Sequence, residues 1–143
     1  MNIVKGNLLD ATEEIIAHQC NCRSIDSAGV AKQIFRKWTW ADTYSNPSPR
    51  APGYIHVLEY GFTIVANMYG QVFPGKPGRQ EDTWEDRLSY FESCLDQLAE
   101  YAPSSVAMPY MIGCGLAGGD WDNYLELIGK FDDIVPVTLY KLT

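Results

Sequence analysis

The chain has 143 residues, of which 46% are apolar, and a formal net charge of −7. This length suits a single domain over residues 1–143 with one substantial core. The negative charge argues against broad binding to nucleic-acid backbones, which normally needs clustered lysine and arginine, although backbone amides can still hold a small phosphorylated ligand.

Membrane and metal signals are weak in this sequence. The first residues show no basic segment followed by an apolar one, and no apolar run approaches the roughly 20 residues that span a bilayer. The four cysteines and two histidines do not have the paired spacing of a structural zinc site. We therefore expect a cytoplasmic protein with reduced cysteines, no membrane association, no metal and no cofactor.

In chain order, the first half of the sequence predicts two strands, a helix and a hairpin. The first strand runs from Met1 to Leu9, and the second runs from Glu14 to Cys22 and becomes polar at its end. Apolar residues at helical spacing then predict a helix from Val30 to Trp38. Two further strand patterns over residues 54–68 meet at Tyr60-Gly61, which is typical of a tight hairpin turn.

The second half predicts a helix, a strand, another helix and a last strand. Thr83-Trp84-Glu85-Asp86 is typical of a capping box and opens a helix to about Tyr101. The apolar run 105–108 enters a glycine-rich loop, a helix begins at Trp121, and residues 135–140 form the closing strand. The order β-β-α-β-β-α-β-α-β predicts an α/β protein with a mixed sheet sandwiched by helices.

Two predicted loops, over residues 21–29 and 112–119, each leave a strand and open a helix. The second loop holds four glycines in seven residues, namely Gly113, Gly115, Gly118 and Gly119. Glycines permit positive φ and let a ligand approach main-chain amides, so such a loop beside a helix N-terminus can cradle phosphates. An ordinary connecting turn is the alternative. If both loops lie at one sheet edge, they form one cleft lined by amides.

Four segments recur in the order and at the spacing of a known family. They are Lys5–Leu9, Ile16–Cys22, Ala28–Ala31 and Met108–Trp121. They resemble the macrodomain, the ADP-ribose-binding module, and together with the closing strand they cover the whole chain. The resemblance implies a three-layer α/β/α sandwich with a central mixed sheet. Within the family, the chain is most similar to the small branch of ADP-ribose-1″-phosphate phosphatases and the terminal ADP-ribose protein glycohydrolase.

The resemblance also implies ligand-binding roles. Asn7 and Leu8 occupy the place where the family contacts adenine, usually through an aspartate, and Asn21 matches the asparagine directed at the distal ribose. Gly29 and Val30 would border the diphosphate and the distal ribose on one side. The second loop would wrap the diphosphate on the other side, through Ile112, Gly113, Cys114, Gly115 and Leu116.

Candidate catalytic residues lie beside these loops. His18 can act as a general acid or donate to a phosphate, or it is a half-buried histidine bonded to backbone. The amide of Asn21 can donate to a ribose hydroxyl or an attacking water. Asp120 can orient or deprotonate water, or cap the following helix, and the two roles can coexist. Asp26 is a second carboxylate in a ligand-facing loop, with a turn residue as its alternative.

We therefore expect a hydrolase that acts on a substituent at C1″ of the distal ribose. ADP-ribose-1″-phosphate is the favoured substrate, because the segment from His18 to Asn21 resembles that of the phosphatases. The lysine and aspartate of the glycohydrolase are replaced here by Glu81-Asp82 and by Ala117, although Lys76 lies slightly earlier. Removal of ADP-ribose from a modified macromolecule is the alternative activity, and a non-catalytic ADP-ribose reader or scavenger is the non-enzymatic alternative. We expect a monomer.

Overall fold

The computed structural model describes residues 1–46 and 49–143. Six strands and three helices follow the predicted order, so the α/β class is confirmed. The strands are β1 (Asn2–Lys5), β2 (Ile15–Asn21), β3 (Ile55–Tyr60), β4 (Thr63–Gln71), β5 (Val106–Pro109) and β6 (Val137–Lys141). The helices are α1 (Gly29–Lys37), α2 (Trp84–Glu100) and α3 (Trp121–Asp132).

The main difference from the predicted elements lies after β1. The predicted first strand reached Leu9, but β1 ends at Lys5 and residues Leu8–Asp10 form a short 3-10 helix. The side chain of Asn7 causes this change, because its Oδ1 accepts a hydrogen bond from the backbone N–H of Leu9 at 3.0 Å. An asparagine in this position competes with strand hydrogen bonding.

All six strands belong to one sheet, in the order β1-β6-β5-β2-β4-β3. Only β3 and β4 pair antiparallel, and the other neighbouring strands are parallel. Strand β2 therefore lies between β4 and β5 and runs in the same direction as both. The carboxyl ends of these three strands meet at one edge of the sheet, which is where ligands bind in open α/β sheets.

Helices cover both faces of the sheet and make the three layers. On one face, Ile15 and Ala17 of β2 belong to a buried cluster that includes Phe91 of α2 and Ile128 of α3. On the other face, Ile16 and Cys20 of β2 pack in a second cluster with α1, through residues Ile34 and Phe35. Because β2 is buried on both faces, its end is fixed firmly at the sheet edge. In the described residues, no helix is long and apolar enough to cross a membrane.

Candidate functional site

A cleft of about 330 Å³ opens at the carboxyl ends of β2, β4 and β5. Its floor carries polar side chains of the central strands, and its two walls are the loops predicted to face each other. The lining includes Gln19, Asn21 and Gln71 on the floor, Ser24, Asp26, Gly29 and Val30 on one wall, and Ile112, Gly113, Gly115, Leu116 and Ala117 on the other. The predicted juxtaposition of the two loops is therefore present.

A second, smaller compartment of about 170 Å³ adjoins this cleft. Val30 and Pro109 line both spaces, so they mark the boundary between them. The smaller compartment is lined by residues from both chain termini and from β5, including Asn7, Leu8, Tyr110 and Tyr140. Together the two spaces form one site, whose larger part is walled by glycines and has polar side chains on its floor.

The second loop runs from Tyr110 to Asp120 and is folded by its own backbone hydrogen bonds. The N–H of Cys114 donates to the carbonyl of Met111 at 2.9 Å, and the N–H of Gly119 donates to the carbonyl of Gly113 at 3.0 Å. Met111 has a φ of 65° and Gly113 a φ of 77°. A side chain at Gly113 would also meet Tyr124 at 2.6 Å, so this position requires glycine for both reasons.

Gly115 plays a different role in the same loop. A Cβ at this position would meet no atom within 4 Å, and Gly115 lines the cleft. Close packing therefore does not require glycine here. Its absence of a side chain leaves the main chain open to the cleft, as expected for a loop that presents amides to a ligand.

Arg87 of α2 ties the second loop to the chain between β4 and α2. Its Nη1 donates to the carbonyls of Gly75 at 2.7 Å and Ala117 at 3.1 Å. Its Nη2 and Nε donate to the carboxylate of Asp82 at 2.7 and 3.1 Å. Arg87 is 2% exposed and Asp82 is 1% exposed. A buried, fully bonded guanidinium of this kind fixes both loops relative to α2.

Asp82 is an internal partner of Arg87 and does not face the cleft as an acid. Its carboxylate also accepts from the backbone N–H groups of Val72 and Phe73, at 2.8 and 3.0 Å. Burial acts to raise the pKa of Asp82, but the hydrogen bonds from Arg87 and from these two amides outweigh it and hold the pKa below its ordinary value. The acidic residue at this place therefore serves to order the loop.

The first loop is held mainly at its start, by Asn21. Its Oδ1 accepts from the backbone N–H groups of Arg23 at 3.0 Å and Ser24 at 2.7 Å. The guanidinium of Arg50 donates to the carbonyl of Ser24 at 2.8 Å. No described residue accepts a hydrogen bond from Nδ2 of Asn21, which leaves this donor for the cleft. Asp26, further along the loop, is exposed and lines the cleft.

The position of His18 does not support its predicted catalytic role. The residue is fully buried, its Nε2 lies 2.6 Å from Oδ1 of Asn67, and its ring packs edge-on against Phe35. Burial lowers the pKa of His18 to about 4, although the hydrogen bond to Asn67 acts to raise it. The imidazole is therefore neutral at physiological pH and lies in the core on the α1 side of the sheet, outside the residues that line the cleft. Its partner is a side chain and not the expected backbone group.

Asp120 has the position predicted for a helix cap. It precedes α3, and its Oδ1 accepts from the backbone N–H of Asp122 at 3.1 Å. The side chain is exposed, and Asp120 is not among the residues that line the cleft. The capping interpretation is confirmed, whereas the geometry does not bring this carboxylate to the floor of the site.

Two glutamines on the floor were not predicted as site residues. Nε2 of Gln19 donates to Oε1 of Gln71 at 2.6 Å, and Nε2 of Gln71 donates to the carbonyl of Phe73 at 2.8 Å. Gln19 lies between two glycines, since a Cβ at Gly70 or Gly113 would meet its Oε1 at 2.5 or 3.1 Å. Gln19 belongs to the segment that resembles macrodomains, but nothing in the sequence indicates that it points to the cleft while His18 does not.

The cysteines near the site are not activated nucleophiles. Burial raises the pKa of Cys22 to about 11, and burial also raises the pKa of Cys114 to about 11, with a further contribution from the charge of Asp120. Both thiols are therefore protonated at neutral pH. Cys114, predicted to contact the ligand, is half-buried and does not line the cleft. Within residues 1–46 and 49–143, no group of three or more histidine, cysteine or acidic residues is arranged to hold a metal ion.

The chain is similar to known proteins in its fold. No protein-family model matches the chain, and no curated protein matches it significantly. Solved structures match over nearly the whole chain. The macrodomain of Thermus aquaticus DarG is 24% identical with a TM-score of 0.73, over 98% of this chain and 97% of that one. The protein has the macrodomain fold.

Two further structures match over nearly the whole of this chain. A protein of unknown function from Bacteroides thetaiotaomicron is 24% identical with a TM-score of 0.76, over 97% of this chain and 96% of that one. Thermosipho africanus DarTG, solved in complex with ADP-ribose, is 17% identical with a TM-score of 0.73. That alignment covers 96% of this chain but 40% of the Thermosipho protein. The predicted macrodomain-like sandwich is confirmed.

Proposed function

We propose that this protein binds ADP-ribose and hydrolyses a substituent at C1″ of its distal ribose. The observation that carries the proposal is the glycine-walled cleft at the carboxyl ends of β2, β4 and β5, with Gly115 open to the ligand space. A ligand with a diphosphate at its centre fits such a cleft, because backbone amides can hold the charge without basic side chains. The Thermosipho protein, of which 40% matches this fold, is solved with ADP-ribose, which supports this ligand.

In this proposal the smaller compartment receives adenine. Leu8 and the rings of Tyr110 and Tyr140 supply apolar lining there. Asn7 uses its Oδ1 to cap the 3-10 helix and carries no negative charge, so it does not supply the carboxylate that the family usually places against adenine. Adenine would then be held mainly by packing and by backbone groups.

The distal ribose would lie over the polar floor of the larger compartment. Asn21 lines this space and its Nδ2 donates to no described residue, and Asp26 is the carboxylate among the described residues that line the space. We assign to Asp26 the removal of a proton from the attacking water, and to Asn21 the orientation of that water or of a ribose hydroxyl. With ADP-ribose-1″-phosphate, addition of water releases ADP-ribose and inorganic phosphate.

The position of Lys76 supports a second candidate activity, which is removal of ADP-ribose from a modified macromolecule. Pro74 and Gly75 line the cleft, so this loop does fold against it. A Cβ placed at Gly118 would meet Cγ of Lys76 at 3.0 Å, which puts the lysine stem against the second loop. The lysine stem therefore lies beside the second loop, and the proposal is that its amine reaches the cleft from there.

The test compares three substrates and one variant pair. Wild-type protein is assayed for phosphate release from ADP-ribose-1″-phosphate and for ADP-ribose release from ADP-ribosylated peptide and oligonucleotide. The Lys76→Met variant is assayed beside Lys130→Met, which removes an exposed lysine of α3. Phosphate release that Lys76→Met leaves unchanged supports the phosphatase, and ADP-ribose release that this variant abolishes supports the second activity. Binding of ADP-ribose without either product supports a reader.

A further inference from the structure

Two guanidinium groups contact the same phenyl ring beside the cleft. Cζ of Arg79 lies 4.5 Å from the centroid of the Phe73 ring, and Cζ of Arg23 lies 5.4 Å from it. Arg23 follows β2, whereas Phe73 and Arg79 belong to the chain between β4 and α2. Two cations that would repel each other are thus placed together by one aromatic side chain.

Neither guanidinium is satisfied by the described part of the protein. No described residue accepts a hydrogen bond or forms an ion pair with the side chain of Arg23 or Arg79, and both are exposed. Arg87 and Arg50 differ, because their guanidinium groups donate to protein carbonyls or carboxylate. Contact with a ring face leaves the N–H edge of a guanidinium free, and that edge matches the geometry of a phosphate.

The backbone of Phe73, whose ring contacts these two arginines, is fixed by hydrogen bonds. The N–H of Phe73 donates to Oδ2 of Asp82 at 3.0 Å. Its carbonyl accepts from Arg87 at 3.1 Å and from Gln71 at 2.8 Å. Since Asp82 is saturated by Arg87 and by backbone amides, its charge does not compete for Arg23 or Arg79. The chain has a net charge of −7, yet these two positively charged groups have no acidic partner among the described residues.

The pair lies next in the chain to residues of the larger compartment and not of the smaller one. Phe73 directly precedes Pro74 and Gly75, and Arg23 directly precedes Ser24, and these three neighbours line the larger space only. If adenine occupies the smaller compartment, as the proposed function requires, the C1″ substituent lies in the larger one. The inference that follows rests on that orientation.

We propose that Arg23 and Arg79, both held against Phe73, bind a phosphate group on the substituent that leaves C1″. The phosphate can be the monoester of ADP-ribose-1″-phosphate or a phosphodiester of an ADP-ribosylated oligonucleotide, because both present the same oxygens. The two arginines are specificity-determining residues in this account. They recognise the leaving group, whereas the glycine loop holds the diphosphate of ADP-ribose.

The experiment measures phosphate binding without turnover, on protein already saturated with ADP-ribose. Inorganic phosphate and, separately, tetrathymidylate are titrated at low ionic strength and followed by NMR. The Arg23→Gln/Arg79→Gln variant is compared with Arg36→Gln/Lys130→Gln, which removes the same charge from exposed positions of α1 and α3. We expect the first variant to weaken anion binding by about tenfold or more, and the control to change it by less than about twofold.

Each outcome has a distinct meaning. Binding of inorganic phosphate alone identifies a monoester as the source, and tighter binding of tetrathymidylate identifies a nucleic-acid strand. If ADP-ribose still binds but anion binding is absent, or is equal in both variants, the assignment of Arg23 and Arg79 is overturned. The proposed function is not affected by that result. Failure of the wild-type protein to bind ADP-ribose overturns the proposed function and removes the orientation on which this site depends.

Discussion

The two loops that face each other across the cleft are held in different ways. The second loop is bonded along its length, through its own amides, through Arg87 at Ala117 and through glycines packed on Tyr124. The first loop is bonded at its start, by Asn21 and Arg50, and then runs exposed into α1. One wall is thus built to hold a fixed shape, and the other is free to adjust to its ligand.

This difference separates two tasks within one site. A loop that binds a diphosphate through amides needs its N–H groups in place before the ligand arrives, because every amide that must be reoriented costs affinity. A loop that carries side chains such as Asp26 can move with little loss of stability. Substitutions in the second loop and its supports should therefore change folding or binding strongly, and those in the first loop should change chemistry with little effect on folding.

The largest expected effect is a loss of folding stability when the side chain that supports the second loop is replaced. Arg87→Leu should lower the free energy of unfolding by about 3–5 kcal/mol, because it leaves the buried carboxylate of Asp82 without its partner. Chemical denaturation followed by circular dichroism measures this. Arg36→Leu, at an exposed position of α1, should change stability by less than about 0.5 kcal/mol. Equal losses in both variants would show that Arg87 has no special role.

The same ion pair predicts how stability depends on pH. The folded-state pKa of Asp82 lies below its ordinary value of 3.8, so its contribution is present above pH 3.8 and is lost as the pH falls through the folded pKa. The Asp82→Asn variant should be less stable than wild type at neutral pH and should lose less stability on acidification. Denaturation midpoints at neutral pH and at about pH 3 check this, and parallel losses in the two proteins would contradict it.

The next effect concerns ligand binding. Gly115→Val should weaken ADP-ribose binding by about 100-fold or more, because its side chain enters the open cleft, while the fold is retained. The matched control is Gly129→Val in α3, where a Cβ also meets no atom within 4 Å but no cleft is near. Calorimetric titration compares the two variants. Full affinity in Gly115→Val would place the ligand elsewhere.

A smaller effect is expected at the end of the second loop. Asp120→Ala should cost about 1 kcal/mol of stability through loss of the α3 cap, with turnover unchanged. Denaturation and phosphate-release assays on the same preparation separate the two readouts. A loss of turnover in a stable Asp120→Ala protein would restore the catalytic role that the geometry does not support.

The smallest effect on folding is expected in the first loop. Asp26→Asn should change the free energy of unfolding by less than about 0.5 kcal/mol, because the side chain is exposed. It should reduce kcat by about 100-fold if Asp26 is the general base, with ADP-ribose affinity nearly unchanged. Asp122→Asn in α3 provides the control. Unchanged kcat in Asp26→Asn would remove Asp26 from the mechanism.

The order of elements was predictable because it depends on local patterns. The capping box at Thr83 and Asp86 is present as predicted, and the glycine loop does open α3. The cleft was predictable because two loops were expected to leave strands at the same edge of the sheet. These features are set by residues close together in the sequence, where periodicity, caps and glycines carry the information.

The contents of the cleft floor were harder to predict, and the reason lies in β2. Its residues are buried on both faces, so no polar alternation indicates that Gln19 faces the cleft while His18 faces the core. The hydrogen bonds from Arg87 to Gly75 and Ala117 join positions 12 and 30 residues away. Such contacts depend on tertiary packing, which one sequence does not reveal.

The most direct test of the account is a calorimetric titration of the wild-type protein with ADP-ribose. We predict saturable binding of one ligand per chain, lost in Gly115→Val and kept in Gly129→Val. Absence of binding by the wild-type protein, or equal binding by both variants, would contradict the claim that the glycine-walled cleft is the ADP-ribose site.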